Sequence, residues 1–291
     1  MTPPPIVTLQ APAKINLGLE ILGKRPDGYH EIRTVMAQVS LADSITVGAP
    51  GAIPGNAGQV EGVERNLIDT AISRFREQVP DAPDVAWAIE KRIPVAAGLG
   101  GASSNAAGAL LALNALCGGR LAPRELHAIA ASIGSDVPFF LGAPVAIASG
   151  RGVELSPIAA PAIDVLLVVP DVAIPAKTAT LYSLLESDDF SDGSMVSETA
   201  RLLAGGCVPP RQNLENAFCR ALASLDERIP ALQNHLDRLE VTWALSGAGP
   251  AHYVVASPDR LDDVQADLLD RSGTWVALFR TSTTASTGSG E

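Results

Sequence analysis

The chain has 291 residues, which is room for about two domains at the usual size of roughly 150 residues each. Its composition is 47% hydrophobic, 18% charged and only 4% aromatic, which favours a globular core of Ala, Val, Leu and Ile and excludes a disordered chain. The net charge of −11 disfavours nonspecific binding to nucleic acid or to an anionic membrane, but it is compatible with a small anionic ligand.

The cysteines and the start of the chain indicate the cellular compartment. Cys117, Cys207 and Cys219 lie far apart without CxxC spacing, so neither a zinc site nor a disulfide framework is predicted. The first residues lack the charged and apolar regions of a signal peptide, and no uninterrupted apolar stretch of about 18 residues occurs. We therefore expect a cytoplasmic protein that binds neither membrane nor nucleic acid, and the choice between a monomer and a homodimer stays open.

The first half of the chain opens with strands and continues into helices. Residues 6–46 alternate apolar runs with turn residues, and they predict strands joined by a turn at Pro26-Asp27-Gly28. Further elements are predicted in this order: an irregular connection or hairpin over 48–63, a helix over 66–78, a strand over 85–94, a long helix that closes at Gly118-Gly119, and a helix over 123–133.

The pattern restarts after residue 156 and predicts an α+β second half. Its predicted elements are a strand at 163–170, helices near 177–187, 213–225 and 228–239, strands at 241–247 and 252–257, a helix near 258–271 and a strand at 274–280. We predict an N-terminal domain over 1–155, a C-terminal domain over 156–280 and a disordered polar tail over 281–291.

The most informative stretch is a glycine-rich turn between a strand and a helix. Residues 98–105, GLGGASSN, place backbone N–H groups and the positive end of a helix dipole at one point, which favours an anion such as phosphate. The glycines allow close approach of the backbone, and Ser103 and Ser104 offer hydroxyls to a phosphate or to phosphate-bound Mg²⁺. A turn capped by serine is the simpler alternative.

Residues 18–24, GLEILGK, match the GxxxxGK spacing of a Walker A loop. Arg25 stands where Ser or Thr should meet the metal, and the segment lies in a strand pattern with no helix after it. We therefore predict that this match is accidental.

Several isolated residues have both a structural and a functional interpretation. Asp136 lies in a glycine-containing helix break and is either a cap or a reactive carboxylate. Lys14 is a lone lysine in an apolar strand, and its simpler interpretation is a lysine at a strand edge or end that reaches solvent. Tyr29-His30 follows a turn and would suit a stacked base, while the SGAGP turn at 246–250 could simply be a hairpin. None of these is specific alone.

Together, four stretches occur in the order of the motifs of the GHMP kinases: PAKINLGLEILGKRPDGYHEI, IPVAAGLGGASSNAAGALLALN, GSDVPFF and SGAGPAHYVV. The chain resembles this superfamily over roughly residues 8–255. Within it, the PAKINL opening, the RPDGYH turn and GLGGASSNAA most resemble the branch whose alcohol substrate carries a cytidine diphosphate group.

The resemblance implies an ATP- and Mg²⁺-dependent kinase with two α+β domains and an active site in the cleft between them. The N-terminal domain would resemble the second domain of ribosomal protein S5, and the C-terminal domain would be ferredoxin-like. It also implies a nucleotide site, which comprises Asn66, Pro94, Gly98, Leu99, Gly100, Gly101, Ala102, Ser103, Ser104, Asn105, Gly247 and Gly249, with Ser103 and Ser104 nearest the metal. Ala102 stands where glycine is common.

The resemblance further implies the roles of the residues that hold the second substrate. Asp136 would accept the proton of the substrate 2-hydroxyl or orient that group. Lys14 would favour the ionised carboxylate and offset charge on the transferred phosphoryl group. The substrate would be held by Asn16, Tyr29, His30, Thr178 and Tyr182, with the aromatic rings stacking on the cytosine and His30 hydrogen-bonding to it.

Two alternatives remain from the sequence. The first is a GHMP kinase for another alcohol, such as mevalonate or homoserine, although a small acid gives no reason for Tyr29-His30. The second is a noncatalytic ligand sensor on the same fold, although the presence of both Lys14 and Asp136 favours an active enzyme.

Overall fold

A computed structural model describes residues 5–53, 67–272 and 275–288. The fold opens with two long strands, β1 (Ile6–Lys24) and β2 (His30–Gly48). The turn between them is closed by a hydrogen bond of 2.7 Å from the Arg25 N–H to the Tyr29 carbonyl oxygen. The predicted strands and their turn at Pro26-Asp27-Gly28 are confirmed, although the several strands expected are two long ones.

The other elements alternate between helices and shorter strands. The strands are β3 (Ala86–Glu90), β4 (Val145–Gly150), β5 (Glu154–Pro157), β6 (Ala159–Ala160), β7 (Asp164–Pro170), β8 (Thr242–Leu245), β9 (His252–Val255), β10 (Val276–Ser282) and β11 (Ser286–Thr287). The helices are α1 (Leu67–Gln78), α2 (Gly101–Leu116), α3 (Pro123–Ile133), α4 (Lys177–Ser183), α5 (Ser194–Ala204), α6 (Cys219–Ala223), α7 (Arg228–Arg238) and α8 (Pro258–Ser272). Short 3₁₀ turns lie at Pro138–Leu141, Ser187–Asp189 and Arg211–Asn213.

The chain forms two compact units that interleave along the sequence. Unit 1 comprises Met1–Ala13, Leu41–Val95 and Gly100–Gly142, and unit 2 comprises Lys14–Ser40, Ala96–Leu99 and Ala143–Glu291. Strands β1 and β2 contribute residues to both units. The predicted domain boundary after residue 155 stays a prediction.

Unit 1 packs three helices beside a strand pair. β3 pairs antiparallel with β2, from Ser44 opposite Glu90 to Gly48 opposite Ala86. α1 buries Ile68, Ala71 and Phe75 at helical spacing and packs against α2 and α3. A Cβ at Gly108 of α2 would lie 2.8 Å from Cγ2 of Ile45, so this helix needs glycine there to approach the strand.

Unit 2 contains two antiparallel strand arrangements. β2 pairs with β4 from Ile32 opposite Gly150 to Ala37 opposite Val145, and β4 pairs with β5. A separate four-stranded sheet has the order β10-β7-β9-β8. Its apolar face is covered by α7 and α8, and the shared core consists of Leu166, Val168, Leu232, Leu236, Val241, Trp243, Val254, Leu261, Val264, Leu268 and Val276.

Helix α5 was not predicted, and the helix predicted over 213–225 is only the short α6. The start of α5 depends on a distant residue, because the buried Glu20 carboxylate of β1 accepts hydrogen bonds from the N–H groups of Gly193 (3.2 Å) and Val196 (2.8 Å). A carboxylate at a helix N-terminus satisfies free N–H groups and complements the dipole. Local sequence also carries a signal that was missed, because Val196, Ala200 and Leu203 are buried at helical spacing.

The prediction of a disordered tail is wrong for residues 281–288. β10 continues to Ser282, the Thr283 N–H donates to the Ile163 carbonyl oxygen at 2.9 Å, and β11 pairs with β6. Backbone pairing, which needs no apolar side chains, orders this segment.

Residues 289–291, and residues 54–63 of the predicted irregular connection, lie outside the described residues. Across the described ranges, none of the helices combines the length and apolar character needed to span a bilayer.

Candidate active site

Lys14 lies at the centre of a buried polar chain in unit 2. Its Nζ donates to Oδ1 of Asn16 at 2.6 Å, and Nδ2 of Asn16 donates to Oγ1 of Thr34 at 2.9 Å. Lys14 is only 3% exposed and Asn16 only 2%. A lysine is rarely buried unless it is paired, so this lysine does not simply extend from a strand end into solvent.

The phenol of Tyr253 fixes the backbone of this chain by donating to the Asn16 carbonyl oxygen at 2.9 Å. Tyr253 is fully buried, which raises the pKa of its phenol above the usual range. The phenol therefore stays protonated and acts as a donor.

The two glycine-rich turns of the sequence meet within unit 2. A Cβ at Gly98 would lie 2.4 Å from the Ser246 carbonyl oxygen and 2.9 Å from the Gly249 nitrogen. The Ala251 N–H donates to the Ala97 carbonyl oxygen at 3.0 Å, and Oγ of Ser246 donates to the Gly98 carbonyl oxygen at 3.2 Å. The SGAGP turn is therefore a partner of the first glycine turn as well as a connection between β8 and β9.

Lys14 touches both of these turns. Its backbone N–H donates to the Leu99 carbonyl oxygen at 2.9 Å. A Cβ at Gly247 would lie 2.9 Å from Lys14 Nζ. Unit 2 thus brings together six predicted site residues: Lys14, Asn16, Gly98, Leu99, Gly247 and Gly249.

The remainder of the predicted phosphate loop begins α2 in unit 1. Gly100 has a φ of 72° and precedes the helix, whose first turn contains Gly101, Ala102, Ser103 and Ser104. Oγ of Ser104 and Oδ1 of Asn105 are buried and have no hydrogen-bond partner among the described residues. Ser103 is half-buried and Ala102 is exposed. Unpartnered buried polar atoms are rare in native proteins and suit a ligand contact.

Asp43 anchors this loop in unit 1 and was missed by sequence reasoning. Its fully buried carboxylate accepts the backbone N–H groups of Arg92 and Ile93, each at 2.8 Å. It also accepts hydrogen bonds from Lys91 Nζ at 2.5 Å and from Asn105 Nδ2 at 2.9 Å. One side chain thus holds both the residues before Pro94 and Asn105 near the start of α2.

Lys177, the first residue of α4, was also missed. Its Nζ donates to the carbonyl oxygens of Ala96, at 2.5 Å, and of Gly249, so it reaches both glycine turns. The pKa of Lys177 is lowered to about 8, mainly by burial and secondly by the positive charge of Lys14. The only available sequence signal was its position immediately before Thr178, which is exposed.

Three predicted substrate residues lie in unit 2, and the side chains of two of them are in contact. The rings of His30 and Tyr182 stack with centroids 4.6 Å apart and planes 21° apart. Tyr29 is 56% exposed, and the Arg151 guanidinium lies 4.7 Å from its ring centroid. Partial burial is the main cause that lowers the pKa of His30, and the positive charge of Lys24 is the second. Its neutral form, which both donates and accepts hydrogen bonds, therefore predominates at pH 7.

Of the other predicted residues, two lie in unit 1 and one lies outside the described residues. Asp136 is half-buried in unit 1, in the turn between α3 and the 3₁₀ turn at Pro138–Leu141, and Pro94 is half-buried in the same unit. Asn66 lies outside the described residues. The Walker-like segment 18–24 lies within β1 and is not followed by a helix, so the prediction that it is an accidental match is confirmed.

The chain matches the family of GHMP kinases N terminal domain over residues 66–143. It is 40% identical to the 4-diphosphocytidyl-2-C-methyl-D-erythritol kinase of Geobacter sulfurreducens, over 94% of this chain and 99% of that protein. It is 44% identical to the kinase of the same name from Mycolicibacterium gilvum, over 79% of this chain and 70% of that protein.

A crystal structure of 4-(cytidine 5'-diphospho)-2C-methyl-D-erythritol kinase matches the fold with a TM-score of 0.79 and 32% identity, covering 96% of this chain and 100% of that chain. The mixed helix and sheet architecture is that of the GHMP kinases. The chain therefore belongs to the 4-diphosphocytidyl-2-C-methyl-D-erythritol kinase family of the GHMP kinases.

Proposed function

We propose that this protein transfers the γ-phosphoryl group of ATP to the 2-hydroxyl of 4-diphosphocytidyl-2-C-methyl-D-erythritol, a step in the non-mevalonate route to isoprenoid precursors. The observation that carries this proposal is the position of Lys14, whose buried ammonium group lies against the two glycine turns. A buried cation beside a glycine-rich turn suits an anionic phosphoryl group.

The backbone of residues 96–100 supports nucleotide binding. Ala96, Gly98 and Gly100 all have positive φ, at 55°, 85° and 72°. Such turns direct successive N–H groups into a concave surface that binds phosphate, and the N-terminus of α2 adds its dipole. At the same helix start, the buried hydroxyl of Ser104 has no hydrogen-bond partner within the part of the chain that the structure describes.

Mg²⁺ fits this site only as an ion carried by the nucleotide. In the part of the chain that the structure describes, no group of three or more His, Cys, Asp or Glu side chains could hold a metal. Ser103 and Ser104 are the oxygen donors at the start of α2 that would contact it. Bound to ATP, Mg²⁺ would neutralise charge on the phosphates.

The aromatic group of unit 2 supports a pyrimidine-bearing substrate. Tyr29 offers an exposed ring, and neutral His30 offers a donor and an acceptor to the edge of a base. Tyr182 orients His30 by stacking, and Thr178 lies one helical turn away on α4. Mevalonate and homoserine carry no base, so a kinase for either would not need aromatic and imidazole side chains that bind a pyrimidine.

Phosphoryl transfer depends mainly on positioning and charge stabilisation. Asp136 would orient the 2-hydroxyl and accept its proton as the new O–P bond forms. Lys14 would stabilise negative charge on the transferred group, and Asn16 fixes the Lys14 ammonium group through the bond of 2.6 Å. A noncatalytic sensor would require neither Lys14 nor Asp136.

We also infer the fold of each domain, the cellular location of the enzyme and its oligomeric state. The elements β7, α4–α7, β8, β9, α8 and β10 follow the β-α-β-β-α-β sequence of a ferredoxin-like domain, which supports that assignment for the C-terminal part. The N-terminal part would resemble the second domain of ribosomal protein S5. We expect a cytoplasmic monomer or homodimer.

The reaction can be tested by ³¹P NMR of the product formed from ATP, Mg²⁺ and the cytidyl substrate. We expect one new phosphomonoester resonance, together with ADP, and coupling that places the phosphate on the 2-hydroxyl. A phosphate on another hydroxyl would contradict the assigned geometry. ATP consumption that yields only inorganic phosphate would contradict the transfer itself.

A further inference from the structure

The side chain of Asn216 holds the start of the second glycine turn. Its Nδ2 donates to the carbonyl oxygens of Leu245 and Gly247, both at 2.9 Å, and its Oδ1 accepts the Phe218 N–H at 2.9 Å. Asn216 is only 6% exposed. Both hydrogens of the amide are used on carbonyl oxygens, and neither a carboxylate nor a hydroxyl could donate this pair of bonds.

The backbone around Asn216 is attached to β1, the strand that carries Lys14. The Leu19 N–H donates to the Glu215 carbonyl oxygen at 2.9 Å, and the Ala217 N–H donates to the Leu19 carbonyl oxygen at 3.0 Å. These two bonds make Asn216 a parallel bridge partner of Leu19. The asparagine therefore has a fixed position relative to β1, from which its side chain reaches the turn.

The contact between Gly247 and Lys14 closes this set of contacts within unit 2. A Cβ at Gly247 would lie 2.9 Å from Lys14 Nζ and 3.2 Å from Oδ1 of Asn16, the oxygen to which Nζ donates at 2.6 Å. Among the described residues, the Gly247 carbonyl oxygen accepts a hydrogen bond only from Asn216. The amide of Asn216 thus fixes the piece of backbone against which the ammonium group lies.

We propose that Asn216 is a positioning residue for phosphoryl transfer, which holds the Gly247 backbone in place beside the Lys14 ammonium group. This inference rests on the proposed function, because it takes Lys14 as the group that stabilises the transferred phosphoryl group. Displacement of a catalytic group by about 1 Å can cost about 100-fold in rate, even when the substituted residue lies away from the reacting atoms. Loss of the amide should therefore slow transfer more than it weakens binding.

The test compares Asn216→Asp and Asn216→Ala with the control Asn114→Asp. The aspartate keeps an acceptor for the Phe218 N–H but cannot hold the two carbonyl oxygens as the amide does, whereas alanine removes all three bonds without adding a charge. Asn114 is a matched control, because its amide donates to the Leu121 carbonyl oxygen at 3.1 Å and accepts the Leu121 N–H at 3.0 Å. Neither of these bonds involves a glycine turn of the site.

We expect kcat for the cytidyl substrate to fall about 10-fold to 100-fold in both Asn216 variants, while the KM values of ATP and of the cytidyl substrate stay within about 3-fold of the wild type. Asn114→Asp should lower the free energy of unfolding and leave kcat unchanged. An unchanged kcat in the Asn216 variants, or a loss confined to KM, would overturn the inference. Unfolding of both variants would also overturn it, because Asn216 would then serve stability.

A second measurement follows Lys14 directly and does not depend on turnover. The sequence has lysine only at positions 14, 24, 91 and 177, so ¹³Cε-labelled lysine gives few NMR resonances, and Lys14→Arg assigns the one of Lys14. We expect both Asn216 variants to shift the Lys14 resonance and Asn114→Asp to leave it in place. An unshifted Lys14 resonance in a folded Asn216 variant would overturn the inference. Wild-type protein that transfers no phosphate to the cytidyl substrate would instead contradict the proposed function, whatever the Lys14 resonance shows.

Discussion

Gly98 lies so close to Ser246 that a Cβ on the glycine would be 2.4 Å from the serine carbonyl oxygen. Gly98 also has a φ of 85°. We predict that Gly98→Ala lowers the free energy of unfolding by at least about 2 kcal/mol and weakens nucleotide binding, because both the contact and the φ exclude a side chain. Urea denaturation and nucleotide titration measure the two effects.

The matched control for that variant is Gly142→Ala. Gly142 has a φ of −116° and open space around its Cβ position. This substitution should leave the free energy of unfolding within about 0.5 kcal/mol of the wild type. Similar losses in the two variants would show that the contact between the glycine turns contributes nothing specific.

Asp136→Asn removes the carboxylate that we assign to the substrate hydroxyl and retains its shape. We expect kcat to fall about 10²-fold to 10⁴-fold, the usual contribution of a general base, while circular dichroism and nucleotide Kd stay unchanged. Steady-state ADP release measures kcat. Near wild-type turnover in this variant would remove the assigned role.

Tyr29→Ala removes an exposed ring that we assign to the cytosine. Loss of one stacking contact should weaken binding of the cytidyl substrate by about 1–3 kcal/mol and leave ATP binding unchanged. Tyr29→Phe, which keeps the ring, should bind like the wild type. If calorimetry shows the same substrate affinity for the Ala variant, Tyr29 lies outside the pocket.

Asp43→Asn tests the anchor of the phosphate loop. The substitution removes the charge that pairs with Lys91 and one of the acceptor positions used by the backbone N–H groups and by Asn105. We expect a loss of about 2–3 kcal/mol in the free energy of unfolding, because buried donors are left without partners. Asp84→Asn, in an exposed pair with Arg76, should not change it measurably.

His252 makes stability depend on pH. Its ring is fully buried between Gln233 and the Pro250 carbonyl oxygen, and burial lowers its pKa to about 4. The unfolded chain, with a pKa near 6.5, takes up the proton first, so stability falls as the pH drops from about 6.5 towards 4.

We expect the titration of His252 to lower the free energy of unfolding of the wild type by about 2 kcal/mol between pH 8 and pH 5. Glutamine does not titrate, so the free energy of unfolding of His252→Gln should fall by about 2 kcal/mol less than that of the wild type over the same pH range. Urea unfolding at several pH values measures the difference. Parallel curves for the two proteins would show that His252 is not the titrating group.

Local sequence was sufficient where a motif and its element coincide. The glycine turn at 98–105 directly precedes α2, and the helix over 123–133 is marked by Pro123 and by Glu125, whose carboxylate accepts the Ala122 N–H at 2.8 Å. These signals depend on residues a few positions apart, which is the range over which propensities and caps act.

Long-range partners could not be predicted in the same way. Ser246 and Gly98 are 148 residues apart in the chain, and Glu20 lies 173 residues before Gly193. Asp43 and Lys177 are single charged residues without a local motif, so only the folded arrangement shows that they hold the glycine turns. The aromatic pair His30 and Tyr182 was predicted as part of a pocket through resemblance, whereas their stacking emerges from the structure.

The most direct test of the proposed activity is ADP release from ATP and Mg²⁺ with 4-diphosphocytidyl-2-C-methyl-D-erythritol, with mevalonate, homoserine and galactose assayed separately. We predict turnover with the cytidyl substrate and none above background with the other three. Turnover with one of those three alcohols and none with the cytidyl substrate would contradict the assignment of Tyr29, His30 and Tyr182 to a cytosine pocket.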